Sequence, residues 1–276
     1  MSDQETKSAN TVPSSMIQVG VTVKYTFLDY LRSRRFAILL SIALIISALL
    51  TFLVAHFRPG ALLDSSLDFY SLWWGSFSSF LAVLSGVFFG GDAIAGEFQN
   101  KTGYFTVPNP IRRSSIYVGK YLAAFVAATL ILLVYLAIAV ANGLYYFGAN
   151  IPYQLGESFL FAWFYLLAIL GFTFMFSSLF KTSSYAILVS AILLIIGFSI
   201  IQGVIEALAG IEPWFLISYG SGIIANVLTV PYPTSSTRFG VTTFAVTIPE
   251  GLIIIAAYFV VSAAIGLLLF ERKEFN

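Results

Sequence analysis

Six stretches of about twenty mainly apolar residues run through this 276-residue chain. Each is long enough to cross the roughly 30 Å hydrocarbon layer of a bilayer as a helix. They cover approximately Phe36 to Ala55, Ser71 to Gly91, Tyr121 to Phe147, Ser158 to Phe180, Tyr185 to Ala207 and Gly251 to Phe270. None alternates polar with apolar residues, and all exceed the ten-residue strands of a membrane barrel, so helices are expected. Composition agrees: 59% hydrophobic, 17% aromatic and 10% charged residues give more apolar surface than a soluble domain of this length can hide. The expected fold is an all-α integral membrane protein.

Charge sets the expected orientation. Lys7, Lys24, Arg32, Arg34, Arg35, Lys101, Arg112, Arg113, Lys120, Lys181, Arg272 and Lys273 fall on one side of the predicted spans. Only Arg58 and Arg238 fall on the other. Basic loops stay inside, so both termini are expected in the cytoplasm of a multi-pass protein of the plasma membrane. The net charge of +1 is spread along that membrane face and gives no reason to expect a nucleic-acid partner.

Residues 1–14 are mostly polar, lack the apolar core of a signal peptide and are expected to be a disordered tail. Residues 15–276 are expected to form a single transmembrane domain. It opens with residues 15–35, where Lys24, Phe27, Tyr30 and Leu31 share helical spacing beside a basic cluster. An interfacial helix on the cytoplasmic headgroups fits that pattern, with a plain anchoring flank as the alternative. Between the fifth and sixth spans, Leu208 to Glu250 is too apolar for a free loop and too broken by proline and glycine for a span. It should fold back against protein at the outer side as re-entrant or surface helices, with Ser218 to Val230 the best helical candidate.

The chain has no cysteine and a single histidine, His56, which excludes thiol chemistry, cysteine metal sites and histidine clusters. Gly119-Lys120 is followed by Tyr121 and lacks the glycine a phosphate loop requires. No ATPase site of that kind, and no cofactor, is therefore expected in this chain. Glu206 is the only ionisable residue within the predicted spans, one helical turn beyond Gln202. With Asn142 these are the candidate pathway or gate positions, a boundary or packing role being the alternative. Gly86 and Gly90 form a Gly-x-x-x-Gly, read first as close helix packing and second as a dimer contact.

Asp92 to Lys120 is the one long stretch dense in charge and turn residues. Glu97 suits the start of a short helix, Phe98, Thr102 and Phe105 share a face of it, and Pro108 and Pro110 end it. Such an aromatic-faced helix can seat in a partner's groove, while a plain solvated connection is equally compatible with the residues alone.

This stretch resembles the signature of the ABC-2 family of ABC-transporter permeases, in which an acid, a Gly-Thr, a Pro-x-Ser-Arg and a Gly-Lys lie at fixed spacing between the second and third spans. Glu97, Thr102, Pro110, Arg113, Gly119 and Lys120 sit at the matching offsets. Lys101 stands where that family usually has glycine, Gln99 where a second acid is common, and Gly103-Tyr104 where Leu-Glu is frequent. The resemblance implies an export permease, not itself an enzyme, moving a lipophilic or amphiphilic substrate. Its partners would be a second permease copy or paralogue and a cytoplasmic ATP-binding subunit holding ATP and Mg. Glu97, Phe98, Thr102, Phe105, Pro110, Arg113 and Lys120 would be the ATPase-coupling residues. An ATP-independent transporter or channel, and a membrane anchor for a cytoplasmic complex, are the competing functions.

Overall fold

The computed structural model describes residues 14–57, 64–100, 112–238 and 241–273. Among them six helices are long and apolar enough to span a membrane: α2 (Arg34–Phe57), α3 (Ser66–Gln99), α4 (Arg113–Phe147), α5 (Tyr153–Leu179), α6 (Ser183–Ala209) and α9 (Ile248–Arg272). The chain is an all-α integral membrane protein but for one short hairpin, preceded at the first span by helix α1 (Ser15–Arg32).

Several helices outrun their apolar stretches. Asp92 and Glu97 belong to α3, and Arg113 to Lys120 form the first two turns of α4, so both ends of the expected Asp92 to Lys120 loop are helical. The charges sit there because each finds a partner at the bundle end, which removes the cost of an unpaired ion. Residues 101–111, with Thr102, Phe105, Pro108 and Pro110, lie outside the described residues. The same holds for residues 1–13, which include most of the expected tail.

Helix α5 is the hub, packing against α3, α4, α6 and α9. Lipid supplies no hydrophobic drive between helices, so close approach of small residues carries much of the packing. Gly86 and Gly90 of α3 face Ile169 and Thr173 of α5, where a Cβ would overlap both side chains. The Gly-x-x-x-Gly is thus a contact within the chain. Gly266 of α9 similarly admits the Tyr117 hydroxyl and the backbone of Met175.

At the end away from the termini, α3 opens with a wide π-helical turn at Ser71–Gly75 that buries both Trp73 and Trp74 completely. The Tyr135 hydroxyl donates to the Trp73 carbonyl. Trp74 Nε1 donates to Ser158 Oγ at 2.9 Å, and Ser158 donates in turn to the Ile224 carbonyl. This relay pins the segment between α6 and α9 onto α3 and α5. That segment holds two single-turn helices, α7 (Ile217–Gly220) and α8 (Ile223–Asn226), in place of one continuous helix over Ser218 to Val230. Gly220 and Gly222 interrupt it, and both lie tight against neighbours: Gly220 against Ile254 and Gly222 against Val246. Two three-residue strands follow, β1 (Ser236–Arg238) and β2 (Val241–Thr243), paired antiparallel with Ser236 opposite Thr243.

Helix α1 buries Tyr30 and also leaves a stripe of apolar side chains outward. Its polar Gln18 is buried, and Thr22 meets the face of α4 at Gly119. Ile17, Val21, Tyr25 and Leu28 point outward.

Gly90→Ala should destabilise the purified chain by about 1–3 kcal/mol, the usual cost of overpacking, in denaturant unfolding in detergent. Gly203, with nothing within 4 Å of an added Cβ, is the control: Gly203→Ala should be neutral or slightly stabilising. Equal effects at the two positions would refute the packing role.

Candidate functional site

The charged residues converge where α1, the end of α3, the start of α4 and the end of α9 meet. Helix α3 breaks there: Ile94 leaves ideal helical geometry (φ −106°) and a last turn runs Ala95–Gln99. The break frees backbone donors in a buried position, which must be satisfied. Ser177 Oγ of α5 accepts both, from Ile94 N at 3.0 Å and Ala95 N at 2.9 Å. Asn100 N closes the turn on Gly96 O at 2.9 Å.

Glu97, in that last turn, is ion-paired with Lys120 of α4, and Lys120 Nζ also donates to the Ala93 carbonyl at 2.8 Å. Two residues of the family-like signature therefore clamp the two sides of the α3–α4 connection together. Asp92, one turn earlier, pairs with Arg35 at the start of α2. Tyr30 of α1 donates from its hydroxyl to Phe89 O at 3.2 Å, and burial pushes its phenol well above the ordinary tyrosine range, with the Asp92 carboxylate adding to the rise. Gly119 leaves room for Thr22, and Gln18 Oε1 accepts from Arg112 N at 3.2 Å, so α1 is seated on the start of α4.

Arg113 reaches the other way. Its guanidinium donates to the carbonyls of Glu271 at 2.8 Å and Lys273 at 2.9 Å, capping the C-terminus of α9 with positive charge where the helix dipole favours it. Lys273 then crosses to α5, donating to Ser178 O at 2.8 Å and Phe180 O at 2.7 Å, with its ammonium 4.2 Å from the Phe98 ring centroid. Gln99 Oε1 accepts from Ser183 N at 2.8 Å and ties the α5–α6 turn to the same cluster.

The structure thus brings together Glu97, Phe98, Arg113 and Lys120 of the predicted coupling set, whereas Thr102, Phe105 and Pro110 fall outside the described residues. Arg35, Asp92, Ser177 and Lys273 belong to the cluster too. Sequence reasoning missed their roles because each acts across a long separation. The one legible signal was a charge at the end of an apolar run, which demands a partner. The three candidate pathway residues do not form one group. Gln202 Nε2 donates to Glu206 Oε1 at 2.9 Å along α6, while the Asn142 amide donates to Ile138 O of its own helix at 3.0 Å.

Burial, and then the nearby Lys181 charge, lower the Lys273 ammonium to about 8. The folded chain gives up this proton before the unfolded chain does, so the lysine's contribution to stability rises as pH climbs through about 8. Lys273→Met removes that dependence. The melting-temperature difference between parent and variant should shift toward the parent between about pH 7 and about pH 9, and a constant difference would refute the assignment.

Comparison with curated proteins gives no match. The model of a protein family described as ABC-2 family transporter protein matches residues 22–275, which takes in all six spans and the cluster. Permeases of that family are membrane transport components that generally work with a cytoplasmic ATP-binding subunit. With its six spans and the signature residues clamped between the second and third, the chain belongs to the ABC-2 transporter family, as a multi-pass membrane permease of an ABC transporter.

Proposed function

We propose that this permease is the membrane subunit of an exporter in which a separate cytoplasmic subunit binds and hydrolyses ATP with Mg. The α3–α4 connection receives that subunit's movement. A second permease, a copy or a paralogue, completes the pathway. The substrate is lipophilic or amphiphilic, consistent with the apolar spans. The clustered basic end, where the described chain starts at α1 and finishes at Lys273, faces the cytoplasm of the plasma membrane. Helix α1 lies in the inner headgroup layer, because an outward stripe of Ile17, Val21, Tyr25 and Leu28 is favourable only against lipid.

The single observation that carries this reading is the clamp around Glu97. Through Lys120 it grips α4, through Phe98 and Lys273 it reaches α9 and α5, and its own turn continues α3. A push on the intervening residues is then delivered to four spans as one body, whereas a slack loop would absorb it. In this division of labour Glu97, Lys120, Arg113 and Phe98 stiffen the elbow, and Thr102, Phe105 and Pro110 meet the ATP-binding subunit.

The two roles separate by mutation. Glu97→Gln should leave the complex assembled but lower substrate-stimulated ATP hydrolysis by roughly fivefold or more, a loss of about 1 kcal/mol in coupling. Phe105→Ala should instead weaken co-purification of the ATP-binding subunit, while the permease still inserts and melts normally. Undiminished association and turnover in both variants, or transport that proceeds on an ion gradient without ATP, would overturn the proposal.

A further inference from the structure

We propose that a notch in the lipid-facing surface between α4 and α9 seats one acyl chain of phosphatidylethanolamine, whose primary ammonium lies on Glu271, and that this lipid joins the two helices as a structural partner. The inference needs only a chain that crosses a bilayer and is independent of what the permease moves.

The notch has a volume of about 350 Å³. Tyr117 and Tyr121 of α4 form its floor, and on α9 the short side chains of Ala263 and Ala264 leave a recess between Phe259 and Leu267. Both tyrosines spend their hydroxyls on backbone: Tyr117 donates to Ala263 O at 3.3 Å, and Tyr121 donates to Leu167 O. What they present to the notch is ring. A gap with apolar walls forfeits dispersion contacts unless something apolar fills it. The protein does not fill it, since Val118 and Leu122 at the rim are 41% and 40% exposed. From Phe259, near the middle of α9, to Leu267 the notch runs about 12 Å toward the charged end. That is close to the hydrocarbon depth of one leaflet, about 15 Å. A single extended acyl chain matches both the length and the chemistry.

The residues one turn further on select the head. Helical spacing carries the row of Tyr117 to Arg113, that of Val118 to Ser114 and, on α9, that of Leu267 to Glu271. The Arg113 guanidinium donates to the Glu271 carbonyl at 2.8 Å, so positive charge lies beside that residue. The Glu271 side chain is exposed, and among the described residues its carboxylate has no ion-pair partner. Arg272 points about 100° away around the helix, and Lys273 is committed to the carbonyls of Ser178 and Phe180. The mouth of the notch therefore offers a cation and a hydroxyl to a phosphate, next to an acceptor for an ammonium. Phosphatidylethanolamine brings both groups. Phosphatidylglycerol has no cation for Glu271, and the quaternary ammonium of phosphatidylcholine has no N–H to donate to it. Helix α9 packs chiefly on α5, so a chain in the notch supplies contact with α4 that the protein leaves thin.

The full-length chain, delipidated in detergent, would be titrated with phosphatidylethanolamine, phosphatidylcholine and phosphatidylglycerol of identical chains, and bound lipid counted by native mass spectrometry. Phosphatidylethanolamine should bind roughly fivefold more tightly than the other two, the worth of one exposed charge pair, and should raise the melting temperature most. Glu271→Gln should bring the three lipids level while the lipid-free chain melts as the parent does. Ala264→Trp fills the notch and should weaken binding of all three. Leu268→Trp, on the same helix but outside the notch, is its control and should leave binding unchanged. No preference among the lipids, a preference that survives Glu271→Gln, or equal binding by the two tryptophan variants would each overturn the proposal. The chain has no cysteine, so Ala264→Cys tests a second copy as the occupant. Chains that stay unlinked under oxidant in liposomes agree with a lipid in the notch, and disulfide-linked pairs would give it to the second copy and overturn the proposal.

Discussion

The bilayer offers no water to a stray polar group, and the architecture follows from that constraint. At both irregularities of α3 a side chain from another helix takes up the freed group. Ser177 accepts the donors released at the α3 break, and Tyr135 occupies the carbonyl offered by the π-turn at Trp73. Ser158 passes the Trp74 indole on to the backbone of α8. Serine and tyrosine side chains therefore decide where these helices may bend.

Helix α3 shows how the two ends of the molecule divide their work. One end is irregular by widening, the other by breaking, and the stretch between is held straight against α5 through Gly86 and Gly90. The end with the termini is charged, cross-linked and stiff. The opposite end is built from short helices and a hairpin, and its carboxylates Asp68, Glu206, Glu212 and Glu250 are each held by a neighbouring donor.

Much of this was legible beforehand. Length and hydropathy locate the six spans, because crossing a bilayer imposes a minimum length that no other requirement mimics. The Gly-x-x-x-Gly of α3 is read correctly as packing, and the broken apolar segment before α9 does fold back onto protein. Thr247 and Glu250, with Pro249 at the start of α9, form a capping box that sequence alone could have located. The hairpin was less visible: Ser236 to Thr243 is too short for alternation to stand out among serines and threonines. The α3 break, the π-turns and the roles of Arg35, Ser177 and Lys273 could not be read. Each depends on a partner tens of residues away, and no local periodicity records it. The helix ends were misplaced for a related reason. Asp92 and Lys120 look like loop residues, and Glu97 like the start of a separate helix, until their counter-ions are in view.

The seating of α1 has a consequence for biosynthesis. The surface it rests on, around Gly119 and Arg112, is translated some ninety residues later, and Arg113 waits for carbonyls almost at the end of the chain. Emerging from the ribosome, α1 has neither the Gly119 surface that meets Thr22 nor the Arg112 N–H that holds Gln18. The charged end of this permease is consequently completed only once α9 has been made.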